Sequence, residues 1–160
     1  MSYLKDTVVI GTVGAGYAAH LHASGYEKVN KVKVRLKTVC DLNQNLAQEL
    51  KEQYGYENIT ANYNDLLNDP EIDVVDIITP PFTHCDLAIK ALRAGKHVIV
   101  EKPLTGYFGK KGEQNVGLTT KRSVMYEEVL RSMDELKDEV ERSGKKFMYA
   151  ENHVCLLYTS

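Results

Sequence analysis

Two short stretches of this chain carry residues able to do chemistry. Gly14-Ala15-Gly16-Tyr17-Ala18-Ala19 follows one apolar run, and Glu101-Lys102-Pro103 leaves another, His97-Val98-Ile99-Val100. Glycines between a strand and a helix let a phosphate approach backbone N–H groups at the helix N-terminus, where the macrodipole adds positive charge. Gly14 allows the sharp turn, Gly16 leaves room for a pyrophosphate, and Ala19 is small enough for close helix–strand packing. Asp41 ends the second apolar run and is suited to accept hydrogen bonds from both hydroxyls of an adenosine ribose. It would repel a 2′-phosphate, which favours NAD over NADP, and the nearby Arg35 and Lys37 reduce that preference. Lys102 is a cation able to orient a substrate hydroxyl and stabilise the alkoxide that develops as hydride leaves; removing the proton itself calls for a base. Plainer readings stand beside these. The glycines also suit an ordinary tight turn, Asp41 a helix N-cap, and Lys102 a surface pair with Glu101.

Residues like these act together only if the elements around them converge. Residues 7–13 are apolar, rich in β-branched residues and followed by Gly14, as a buried parallel strand before a glycine turn is. Helix is expected over 16–26, strand over 33–40, and helix over 43–54 with Gly55 as its stop. A short strand at 59–61, a helical turn at 65–68 and a strand over 73–79 follow, the last closed by Pro80-Pro81. Helix over 84–94, strand over 97–100, helix over 123–143 and strand over 146–150 complete the pattern. Residues 105–122 are glycine-rich and basic and read as a long inserted loop, either a lid, an oligomer contact or a solvated segment. Alternating strand and helix predicts a doubly wound parallel α/β sheet with right-handed crossovers and helices on both faces. In such sheets ligands bind outside the carboxyl ends of the strands, which would put the glycine turn, Asp41 and Lys102 at one crevice.

At 160 residues the chain is one domain with room for a core. A formal net charge of −2 gives no reason to expect nucleic acid or an anionic membrane as partner. No apolar run approaches the roughly 20 residues of a membrane span, and the polar N-terminus lacks a secretory pattern. Three scattered cysteines, Cys40, Cys85 and Cys155, suit a reducing compartment, so a cytoplasmic protein without a metal site is expected. Cys155-Leu156-Leu157-Tyr158-Thr159-Ser160 matches one reading frame of a transposase end used in sequencing libraries, so an adapter origin is expected for it, with a genuine short tail as the plainer reading.

The combination Gly14-x-Gly16-x-x-Ala19-x-x-His22, Val39-Cys40-Asp41, Thr79-Pro80-x-x-x-His84 and Ala94-Gly95-Lys96-His97-Val98-x-x-Glu101-Lys102-Pro103-Leu104 resembles the glucose–fructose oxidoreductase / inositol dehydrogenase (Gfo/Idh/MocA) family. The resemblance reaches nearly to Asn152. It implies a Rossmann domain over residues 1–150, with a second, substrate-binding domain that this chain lacks and whose start falls at 151–160. It also implies hydride transfer between a sugar or polyol hydroxyl and the nicotinamide of NAD, in a homo-oligomer. By matching position, Gly14, Gly16, Tyr17 and Ala18 would line the pyrophosphate, and Asp41 would hold the ribose. Thr79, Pro80 and His84 would follow the cofactor's middle, and Glu101 and Lys102 would meet the nicotinamide ribose and the reacting carbon. The Lys102–Pro103 peptide is often cis in this family, and Asn152 would approach the nicotinamide. Packing is the expected job of His22, and His97 is expected to be structural. Alternatives are an NADPH-dependent carbonyl reductase on the same fold and a non-catalytic nucleotide sensor. With further catalytic residues expected in the absent domain, the fragment alone is expected to bind cofactor but turn over little substrate and to leave apolar surface uncovered.

Overall fold

Six parallel strands form the sheet in the computed structural model of the protein, which describes residues 6–110 and 112–151. They are β1 (Thr7–Val13), β2 (Lys33–Cys40), β3 (Asn58–Thr60), β4 (Val74–Ile77), β5 (His97–Glu101) and β6 (Phe147–Ala150), in the order β3-β2-β1-β4-β5-β6. The order reverses between β1 and β4, so the crossovers diverge there and open a crevice at the carboxyl edge.

Among the described residues six α-helices connect the strands: α1 (Tyr17–Tyr26), α2 (Gln44–Tyr54), α3 (Tyr63–Asn68), α4 (His84–Arg93), α5 (Val116–Thr119) and α6 (Arg122–Ser143). The strands alternate their side chains between two cores. Val75, Ile77, Val98 and Val100 pack with Ala88, Leu92 and Leu136 of α4 and α6. On the other face Ala19, Ala23, Ala47 and Leu50 of α1 and α2 close over Val39 and Ile78. Ala19 is fully buried, so the small residue sits where a close helix–strand approach needs it. The Asn43 side chain accepts from the Asn45 N–H and caps α2, which ends at Gly55.

The expected strands and helices are present, with small shifts at their ends. Residues 105–122 are not structureless throughout: α5 makes one turn, and Arg122 already belongs to α6. This segment leans toward α4 and α6. Phe108 meets Phe82 edge to face, and Thr105 Oγ1 lies 3.3 Å from Ser132 Oγ. Among the described residues no helix is long and apolar enough to cross a membrane. Asn152 and the stretch 155–160 lie outside the described residues.

Candidate dinucleotide site

The carboxyl ends of β1, β2, β4 and β5 bring Gly14, Asp41, Thr79 and Glu101–Lys102 to one edge of the sheet. At the first of these, Gly14 has φ +96°, and its N–H donates to the Cys40 carbonyl at 2.8 Å. A Cβ on Gly14 would stand 2.6 Å from the Ile78 carbonyl oxygen, so the turn itself requires glycine. Gly16 differs. Its φ of −77° suits any residue, and a Cβ there would meet nothing within 4 Å. Its missing side chain therefore leaves open space in front of α1, whose first turn presents the N–H groups of Tyr17 and Ala18. Tyr17 is exposed at the mouth of that space.

Asp41 is fastened to this turn. Its Oδ2 accepts from the Ala15 N–H at 2.7 Å and its Oδ1 from the Asn43 N–H at 2.7 Å. It is not the N-cap of α2; Asn43 fills that role. Each carboxylate oxygen has capacity for a second donor, which fits a pair of ribose hydroxyls. Arg35 and Lys37 do not face Asp41. Arg35 pairs with Glu57 and Glu71, and Lys37 with Asp69 at 2.8 Å and with Glu71, beside the residues that lead into β3 and β4. Their charges are paired with carboxylates that precede β3 and β4.

Further along the crevice, Thr79 Oγ1 lies 2.6 Å from Thr83 Oγ1, and Pro80 is exposed. His84 is set back from the surface, only 1% exposed. Its Nδ1 lies 2.8 Å from the Pro103 carbonyl oxygen and its Nε2 2.7 Å from that of Thr79. The ring ties the end of β4 to the segment after β5, and does not cap a helix or line the crevice wall. Lys102 is exposed, and the Lys102–Pro103 peptide is cis. The Lys102 main-chain N–H donates to Glu101 Oε2 at 2.7 Å, which leaves its ammonium group uncommitted by that bond.

Two residues of the glycine-lysine block turn out to hold the fold. Lys96 is buried and its Nζ donates to the Asp69 and Ile72 carbonyls; desolvation holds its pKa below the ordinary lysine value. His97 Nδ1 accepts from the Lys146 N–H at 2.9 Å and joins β5 to the start of β6.

The structure also assembles a polar group that the sequence does not announce. His22 sits between Asp76, fully buried in β4, and Glu101 at the end of β5. Burial alone would lower its pKa, but hydrogen bonds and charge from Asp76 and Glu101 outweigh that and carry it up to about 9. Packing is thus only part of its job. The signal for this group is Asp76 itself, a charged residue inside the run Val74-Val75-Asp76-Ile77-Ile78. A raised histidine value means that the stabilisation is fully present below the ordinary value of 6.5 and is lost as pH rises through about 9. Thermal melts are expected to lose on the order of 2 kcal/mol of stability across that window after solvent screening. A His22→Gln variant should lack the dependence.

Residues 8–128 match the family GFO_IDH_MocA, described as an oxidoreductase family with an NAD-binding Rossmann fold. The chain belongs to this family. Levoglucosan dehydrogenase of Pseudarthrobacter phenanthrenivorans is 37% identical over 102 residues, which are 59% of this chain and 26% of that one. Myo-inositol 2-dehydrogenase of Thermotoga maritima is 31% identical over 96 residues, 60% of this chain and 28% of that one. A solved levoglucosan dehydrogenase in complex with NADH superposes with a TM-score of 0.66 at 26% identity, covering 90% of this chain and 34% of that one. The chain therefore spans about a quarter to a third of the length of these relatives.

Proposed function

We propose that this domain binds NAD in preference to NADP and, within a longer protein, serves hydride transfer between a sugar or polyol hydroxyl and the nicotinamide. The observation that carries this is the fastening of the Asp41 carboxylate to the glycine turn through the Ala15 N–H. It puts a fixed anion beside the open space at Gly16. Gly14, Gly16, Tyr17 and Ala18 would hold the pyrophosphate and Asp41 the adenosine ribose. Thr79 and Pro80 would follow the middle of the cofactor, with His84 steadying them from behind, and Glu101 and Lys102 would take the nicotinamide end. The cofactor's contribution is to accept the hydride; that of Lys102 is to orient the hydroxyl and stabilise the alkoxide. The pairing of Arg35 and Lys37 with Glu57, Asp69 and Glu71 supports NAD over NADP. The kinship with inositol and levoglucosan dehydrogenases supports a sugar or polyol substrate. The domain alone is expected to bind cofactor and turn over little substrate.

Titration of NADH and NADPH, followed by reduced-nicotinamide fluorescence, tests the cofactor assignment. NADH should bind at least about tenfold more tightly, and Asp41→Ser should weaken NADH by about 10- to 100-fold, the range for lost hydrogen bonds to a charged group. NADPH should be weakened less, so that the preference narrows. Equal affinity of the unaltered chain for the two cofactors would remove Asp41 as the discriminating residue.

A further inference from the structure

Four side chains from three elements, α1, β4 and β5, meet between α1 and the sheet. His22 Nδ1 lies 3.1 Å from Asp76 Oδ1 and 3.0 Å from Oδ2, and its Nε2 lies 3.2 Å from Glu101 Oε1. The Tyr26 hydroxyl, one turn further along α1, donates to Asp76 Oδ2 at 2.7 Å. Glu101 Oε2 in turn accepts the Lys102 N–H. Ionised carboxylates only accept, so a ring that satisfies both must carry a proton on each nitrogen. A neutral imidazole donates to one of them and leaves the other without its bond. If the bond to Asp76 is kept, because Asp76 has no access to water, Glu101 is the one released.

We propose that His22 is a positioning residue of the dinucleotide site, an imidazolium clamp that ties Glu101 to buried Asp76 and so fixes the Glu101–Lys102 edge. Its effect on cofactor rests on the reading above, that this edge receives the nicotinamide half. The clamp works on one end of the ligand only. Gly14, Gly16 and Asp41 are held by their own backbone bonds and are independent of it. Among the described residues the titratable groups around it are Asp76 on β4, Tyr26 on α1, Glu101 on β5, Tyr56 ahead of β3, and Tyr149 on β6, which bonds Glu151 and lies within reach of the Glu101 charge. Burial pushes the phenols of Tyr26 and Tyr56 above the ordinary tyrosine value, so both remain neutral while His22 titrates.

NADH and ADP-ribose, titrated into the 160-residue chain between about pH 6.5 and about pH 10, separate the two halves of the site, with His22 followed in parallel by imidazole NMR. ADP-ribose reports the turn and Asp41. Its affinity should not follow the His22 resonance. NADH affinity should fall relative to ADP-ribose by about tenfold as His22 loses its proton, the order of one hydrogen bond to a charged group. His22→Gln should show the weaker NADH affinity throughout, without an inflection. If that variant does not fold, the wild-type profile decides by itself. A constant NADH to ADP-ribose ratio while His22 titrates overturns the clamp, as does a ring that is already neutral at pH 7. NADH that gains nothing over a well-bound ADP-ribose at any pH overturns the nicotinamide-edge assignment instead. Failure of ADP-ribose to bind overturns the dinucleotide reading as a whole.

Discussion

Gly14→Ala is expected to destabilise the domain severely, whereas Gly16→Ala, two residues on, folds and loses NADH. The two glycines are required for different reasons. At Gly14 the backbone has φ +96°, which costs a residue with a Cβ about 1–2 kcal/mol, and the new methyl would lie 2.6–2.9 Å from backbone atoms of Ile78 and Thr79. That backbone is the end of β4, hydrogen-bonded to Val13 through the Ile78 N–H, and has little freedom to yield. A total of at least about 3 kcal/mol is a large share of a domain's usual margin. At Gly16 no atom within 4 Å opposes a methyl, and changing glycine to alanine at an N-cap costs under about 1 kcal/mol. The same methyl occupies the space in which a pyrophosphate would contact the N–H groups of α1, and should weaken NADH at least tenfold, about 1.4 kcal/mol or more. Urea unfolding and NADH fluorescence on both variants check this. Wild-type NADH affinity in Gly16→Ala would show that no phosphate rests on this turn.

That contrast marks how far the sequence could be read. The strand–turn–helix around Gly14 and Gly16 is local: β-branched residues, two glycines and a small alanine specify it within 13 residues, Thr7–Ala19. The parallel sheet is legible for a related reason, because strand and helix patterns alternate and their connections are restricted in hand. Long-range polar pairing is different. His22 reaches Asp76 across 54 positions and Glu101 across 79, and nothing in periodicity links them. Arg35 and Lys37 are legible as cations near Asp41 in sequence, and strict alternation would put all three on one face; the register shift of β2 at Lys37 and the acidic residues Glu57, Asp69 and Glu71 decide where the cations point. The position of His84 beside the Thr79-Pro80 motif is visible in the sequence. Its burial against two carbonyls depends on how the segment after β5 returns over α4.

In a full-length protein built on this domain, Lys102→Ala is expected to lower kcat/KM for a polyol by about 10²–10⁴ while NADH affinity stays within about threefold. Hydride leaves a carbinol carbon only as its hydroxyl proton leaves, so negative charge grows on that oxygen and a cation beside it stabilises the transition state more than the ground state. The side chain is exposed at the same edge as Glu101, while the Glu101 carboxylate is held by the Lys102 main-chain N–H and by His22. Truncation at Cβ therefore removes the ammonium and spares those bonds, which is why binding and turnover should separate. The same variant divides the competing functions. Carbonyl reduction passes through the same transition state in reverse and should suffer equally, so Lys102 does not separate it from oxidation; the NAD preference proposed for Asp41 is what would favour oxidation. A nucleotide sensor has no alkoxide to stabilise. A Lys102→Ala protein with unchanged turnover would move the chemistry to residues outside this domain and leave the carboxyl edge with binding alone.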